Sequence, residues 1–248
     1  MSRLLFILSF VISTGHLSAQ ANSLFELGNE KYQAGEYMEA IELYDSIQKM
    51  GFNNEALYYN LGNAHYQSGR LAWAILYYEK ALLQDPHDEE IKHNLALANS
   101  KRIDRFEIMP ENLFKTFRLK ILRALSPDQW AMTGLILLAL AIGGLSLYLF
   151  SSLGRIGFVA LISGGLLSLF SITMAYSHKH YIDLHPELII MSDAAYVKSG
   201  PGENAEDLFI LHAGTKVLQV EQFESWCKIR LVDGKIGWLP RANTEAIR

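Results

Sequence analysis

The stretch "YYNLGNAHYQSGRLAWAILYYEKALLQDP", Tyr58–Pro86, decides the reading of the first half of the chain. A second copy lies upstream. Leu27, Gly28, Asn29, Tyr32, Gln33, Gly35, Ala40, Ile41 and Tyr44 recur as Leu61, Gly62, Asn63, Tyr66, Gln67, Gly69, Ala74, Ile75 and Tyr78, each at an offset of 34 (62 − 28 = 34). A fixed period of roughly 20–50 residues marks a stacked repeat. Tyr58, Leu61, Gly62 and His65 share one helical face, and Ala74, Tyr78 and Ala81 share another. The spacing therefore predicts two antiparallel helices per copy. Gly62 and Ala74 are small where the helices would cross, Gly69 supplies the turn, and Pro86 stops the second helix after Asp85.

These residues resemble the tetratricopeptide repeat. The first copy departs from the pattern at its end. Ile47 stands where the family has Ala, and Gly51-Phe52 replaces Asp-Pro, so looser packing is expected there. A partial third copy, "IKHNLALANSKR" (Ile91–Arg102), matches one helix and reads as a cap. Two repeats and a cap fall short of the roughly three that a free solenoid needs. Extra burial is expected from a membrane or a partner.

The first helices of such repeats line a concave face. Phe25, Asn29, Tyr32 and Gln33, then Tyr59, Asn63, Tyr66 and Gln67, and His93 from the cap project there. Two readings stand side by side. In one, an aromatic and amide groove binds a peptide or helix. In the other, the Asn and Tyr side chains satisfy neighbouring helices. Some relatives of the repeat clamp a C-terminal carboxylate with Asn and Lys. Asn29 and Asn60 match the Asn positions, but Phe25, His93 and Leu97 occupy the cationic ones, so a clamp is not expected.

The 248 residues carry a net charge of −4 and are 50% hydrophobic. The charge gives no reason to expect nucleic acid as a partner. Cys227 is the only cysteine, which excludes an intramolecular disulfide, a Cys-rich zinc site and a CxxC redox motif. The chain opens "MSRLLFILSFVISTGHLSAQAN": Arg3, a short apolar run over residues 4–12, then Ala19-Gln20-Ala21. This is an export signal with cleavage expected after Ala21, or else an uncleaved anchor. Export places Cys227 in an oxidising compartment, where it is expected to be a buried, inert thiol.

Residues 130–154 carry no charge, and after Arg155 residues 156–177 are again uncharged. Each run is long enough to cross a bilayer of about 30 Å at about 1.5 Å per residue. Expected spans are 130–152 and 156–177, joined by a short link into a hairpin. Trp130, Tyr148 and Tyr176 stand near their ends, and Gly143, Gly144, Gly164 and Gly165 are candidates for close approach. The absence of acidic or basic residues within the spans argues against an ion pathway. A hairpin places both flanks on one side. The export signal puts that side outside; Lys115, Arg118, Lys120 and Arg123, set against Arg155 alone in the link, point the other way. The export signal takes precedence. The cations are assigned to an amphipathic helix within residues 103–129 that lies in the membrane interface, with Leu113, Phe114, Phe117, Ile121, Leu122 and Leu125 as its apolar stripe.

After Pro186 the period becomes two. "AYVKSGPG", "GTKVLQVE", "WCKIRL" and "GKIGWLP" read as short strands, with a turn at Asp233-Gly234. About five strands in residues 187–248 suit a compact barrel. The pieces "VKSGPG", "LHAGTKV", "WCKIRL" and "DGKIGWLP" resemble the bacterial SH3-like domain. Tyr196, Trp226 and Trp238 could line a shallow groove, or the two tryptophans could be packing residues.

The expected fold class is thus multidomain. An all-α repeat region (22–102) follows the export signal (1–21), then come the interfacial helix, the transmembrane hairpin and a C-terminal all-β SH3-like barrel. This order resembles the BatE family of Bacteroides aerotolerance proteins. The resemblance implies a non-catalytic membrane scaffold that partners von Willebrand A domain proteins in a stress-related complex. A peptidoglycan-binding protein is the alternative. The richest polar cluster, His178, His180, Asp183 and His185, could bind a metal such as zinc if the segment were extended, but such residues are more often polar groups at the water interface. No catalytic residue, cofactor or metal is expected.

Overall fold

A computed structural model describes the backbone of residues 2–106, 113–184 and 186–248, and the side chains of residues 17–106, 117–184 and 186–248. The chain divides into two compact units. One comprises residues 1–84, 88–108 and 187–248; the other comprises residues 85–87 and 109–186.

The first unit begins with five helices: α1 (Ser2–Gln33), α2 (Tyr37–Lys49), α3 (Glu55–Gln67), α4 (Leu71–Gln84) and α5 (Glu89–Ser100). Local chemistry repeats with the 34-residue period. Gly35 and Gly69 turn the chain at φ of 80° and 79°, in the left-handed region that glycine enters without strain. Asn54 and Asp88 cap α3 and α5 by accepting from backbone amides of the first turn. Gly28 and Gly62 lie flat against the rings of Tyr44 and Tyr78. A Cβ at either would come within 2.5 and 2.6 Å of the ring. The small residue expected at Gly62 is thus set by a tyrosine ring, while Ala74 is fully buried nearby. α1 runs unbroken through Ala21, itself buried against α2 and α3. The side chains of Arg3 and residues 4–12 lie outside the described residues.

The unit ends in a seven-stranded antiparallel sheet: β1 (Glu187–Ile190), β2 (Ala195–Lys198), β3 (Asp207–Leu211), β4 (Lys216–Phe223), β5 (Trp226–Arg230), β6 (Ile236–Pro240) and β7 (Thr244–Ala246). Their order is β3-β2-β6-β5-β4-β1-β7. About five strands were expected, four of them placed in the sequence as β2, β4, β5 and β6. β1, β3 and β7 were not placed, and β1 is central to the packing. Leu188 and Ile190 enter the core of the sheet, whereas Ile189 joins Ile75, Leu76, Ala81 and Ile91 in the core of the helices. Ile247 does the same. Polar contacts fix this junction. Lys216 reaches Glu79 on α4 at 2.9 Å and Glu187 at 2.7 Å. Burial alone would lower the Lys216 pKa, but the two carboxylates outweigh it and raise it. Asp104, just past α5, accepts from the His212 amide (2.7 Å) and Thr215 hydroxyl (2.7 Å) and faces His212 Nδ1 at 2.8 Å. Burial would raise its carboxyl, yet these bonds hold it below the usual range. The extra burial that two repeats and a cap require comes from the chain's own C-terminus. Cys227 is fully buried in the sheet, which pushes its thiol pKa up.

The second unit holds α6 (Leu113–Leu122), α7 (Pro127–Phe150) and α8 (Gly154–Leu184). Among the described residues of the segment 103–129, expected to hold one interfacial helix, α6 is the separate helix. Asp104 and Phe106 belong to the sheet side of the first unit, because Phe106 has a core to enter there. The side chains of Leu113, Phe114 and Lys115 lie outside the described residues. α7 opens with a capping box, Ser126 with Gln129, and Pro127 at its first turn. Both α7 and α8 are long and apolar enough to cross a membrane, and most of their large side chains stay uncovered by protein. Gly144 and Gly164 sit at the helix–helix contact as expected, but Gly143 and Gly165 face open space. Gly134 and Gly157 take part instead. A Cβ on Gly157 would lie 2.4 Å from the Tyr148 amide nitrogen, and Ser168 donates to the Gly134 carbonyl at 2.8 Å. Neighbouring glycines point about 100° apart on a helix, so only one of each pair can face the partner.

Candidate functional site

The 34-residue period places three positions in each of four rows on α1, α3 and α5 with its C-cap: Phe25, Tyr59 and His93; Asn29, Asn63 and Leu97; Tyr32, Tyr66 and Ser100; Gln33, Gln67 and the C-cap Lys101. Much of their polar capacity is spent between helices. The Tyr44 hydroxyl (2.8 Å) and the Asn60 amide (2.9 Å) both donate to Asn29 Oδ1. One period later, the Tyr78 hydroxyl (2.7 Å) and the Asn94 amide (3.2 Å) both donate to Asn63 Oδ1. Asn29 and Asn63 therefore each tie two other helices' side chains together through one amide oxygen. Burial and these bonds also act on the phenols: burial pushes Tyr44 up to about 12, with the amide bond pulling slightly the other way.

Phe25 packs on Tyr44 with ring centres 5.8 Å apart, and Tyr32 meets Tyr37 edge-on at 5.4 Å. Tyr59 donates to Glu90 at 2.5 Å and accepts from Asn94 at 2.8 Å. Tyr66 lies under the Lys101 ammonium, 4.3 Å from ring centre to Nζ. Gln33, Gln67 and His93 are exposed, and so is Leu97 at 45%. The open surface is thus made of glutamines, the half-buried rings of Tyr59 and Tyr66, His93, Leu97 and Lys101. Glu90, Leu97 and Lys101 were not among the expected lining residues. Extending the period into the cap would have found Leu97 and Lys101.

A second surface lies on the outer face of the sheet. Side chains alternate across a strand, and Ala195, Val197, Cys227, Ile229 and Leu239 point into the core. Tyr196, Trp226 and Trp238 accordingly share the opposite face. Trp226 and Trp238 are only 8% and 9% exposed, and Tyr196 is 50% exposed. Trp238 pairs in register with Lys198 and Lys228, whose Nζ lies 5.4 Å from its ring centre.

Among the described residues, the members of the histidine cluster are not brought together. His178, His180 and Asp183 lie within α8 rather than on an extended segment. Residues two apart on a helix point in different directions. His178 is buried with Nδ1 against the Leu125 carbonyl at 3.1 Å, while His180 stacks on Tyr176. His185 lies outside the described residues.

Hairpins with this period, glycine turn and open first-helix face carry a recognisable pattern. Residues 56–88 match the tetratricopeptide repeat family. The match covers α3, α4 and the following turn, and the hydrogen-bond period ties α1 and α2 to the same plan. No curated protein matches the chain. A tetratricopeptide repeat is a protein-interaction module: stacked hairpins give an extended concave surface for a partner.

Proposed function

We propose that the chain is a non-catalytic scaffold of a bacterial inner membrane. Its repeat region, within residues 22–102, and an SH3-like domain over residues 187–248 bind protein partners in the periplasm. The export signal of residues 1–21 and the same-side geometry of a helix hairpin support that placement. The two spans hold the scaffold beside membrane partners, which raises their effective concentration at the groove. The order of segments resembles the BatE family of aerotolerance proteins, and von Willebrand A domain membrane proteins are the partners this resemblance offers.

One observation carries the reading. The sheet closes the apolar back of α4, while the face bearing Gln67, His93 and Leu97 is left open. A second reading, peptidoglycan binding, draws on the three aromatics that share the outer face of the sheet.

Site-specific crosslinking in cells from positions beside His93, followed by capture of a co-expressed von Willebrand A domain protein, tests the first reading. His93→Ala with Leu97→Ala should leave the helical spectrum unchanged and lower capture by about tenfold or more. Undiminished capture by this variant sinks the groove as the partner site. Retention on isolated peptidoglycan that disappears in Tyr196→Ser establishes the second reading instead.

A further inference from the structure

A cleft of about 440 Å³ opens between α6 and the last turns of α8, a size ordinary for a small-molecule site. Its floor is apolar: Ile121 and Leu122 from α6, Phe170 and Met174 from α8. Its rim is polar, with Arg118 on α6 and His180 on α8. The two ends follow the sequence of α8. Phe170 and Met174 lie in the uncharged run that ends at Ser177, and His180 lies beyond it. The cleft therefore straddles the boundary between hydrocarbon and water if α8 crosses a membrane.

Charge sorts its occupant. Residues 113–125 contain Lys115, Arg118, Lys120 and Arg123 and no Asp or Glu. Arg118 makes no ion pair with a described residue and is exposed. An apolar floor at hydrocarbon depth under an unneutralised guanidinium complements one kind of molecule, with a hydrocarbon tail and an anionic head. Guanidinium binds phosphate through two parallel N–H donors.

We propose that this cleft holds one molecule of an anionic phospholipid, with an acyl chain along Phe170 and Met174 and its phosphate on Arg118. The bound lipid would fix α6 against α8. This site rests on the membrane placement given above.

The test uses the full chain. Carbonate extraction of membranes first asks whether the chain is embedded. Release from the membrane would overturn both the membrane placement and the lipid site. The embedded chain is then purified in mild detergent, exposed to equal amounts of phosphatidylglycerol and phosphatidylcholine, and examined by native mass spectrometry. One retained phosphatidylglycerol per chain is expected, in preference to phosphatidylcholine. Arg118→Glu should lower that retention by about tenfold. Met174→Trp, which fills the floor, should lower retention of both lipids. Leu140→Trp, on the exposed face of α7, should change nothing. Equal retention of the two lipids, or no effect of Arg118→Glu in the embedded chain, overturns the lipid site alone.

Discussion

The α3–α4 pair and the α7–α8 pair are both antiparallel, and both use glycine at the contact, yet they solve burial differently. In the repeat, Gly62 faces a side chain, the Tyr78 ring. In the long hairpin, Gly157 and Gly144 face the partner's backbone. The outer surfaces differ more. The back of α4 is sealed by Ile189 and Ile247 from the sheet. The outer faces of α7 and α8 carry Leu135, Leu140, Phe158 and Leu166, all at least half exposed. A helix pair in water must find protein to cover its apolar back, whereas one placed in lipid needs only a close seam. Their buried histidines differ as well. His178 has a carbonyl partner. His65, 4% exposed and packed against the rings of both Trp73 and Tyr77, has no hydrogen-bond partner for Nδ1 among the described residues.

The sharpest way to break the contrast is Ile189→Asp. It puts an unpaired charge where protein has to seal α4. A loss of roughly 4 kcal/mol or more is expected in denaturant unfolding of the first unit, with little change in α7–α8. A repeat region that unfolds at its original denaturant midpoint would mean that α4 needs no cover.

Acid should act next, through His65. Burial, with the nearby Arg70 charge adding to it, lowers its pKa from 6.5 to about 4. The folded state then refuses a proton that the unfolded chain accepts between those values. Stability is full above about pH 6.5 and falls as the pH drops toward 4, by on the order of 3 kcal/mol. His65→Leu should flatten that part of the profile in thermal melts taken at several pH values. A slope that survives the substitution assigns the effect to other groups.

The smallest effects separate the two glycines of one helix. Gly157→Leu meets immovable backbone and should loosen the α7–α8 seam by roughly 1–3 kcal/mol. Gly165→Leu points into open space and should be silent. Hydrogen exchange along α7 reads both. Equal protection in the two variants would show that the seam is not held by glycine.

The 34-residue offset made both hairpins and the cap legible, because turns, caps and helix crossings all repeat with it. The long apolar runs made α7 and α8 legible through length alone. β1 was not legible, for a physical reason. A strand announces itself by alternation only when one face is wet. Here Leu188 and Ile190 serve one core and Ile189 another, so "ELII" shows no alternation. The groove was partly legible. Asn and Tyr at repeating positions suit a ligand or a strut equally well until donors are counted. The donors were in the sequence too, since Asn60 and Asn94, like Tyr44 and Tyr78, are one period apart. Which glycine of an adjacent pair faces the partner depends on helix rotation, and that is fixed only by packing.

The junction between Lys216 and Glu79 spans 137 positions of the chain, and this separation sets an order of events during synthesis. α4 leaves the ribosome long before the strands that cover it, and the whole α7–α8 hairpin must be made in between. Until Ile189 and Ile247 arrive, Ile75 and its neighbours face solvent. Closing so distant a contact carries a loop-entropy cost that local helix formation does not. The apolar back of α4 is therefore covered only once residues 187–248 have been made, and exposed apolar surface of that kind favours aggregation until then.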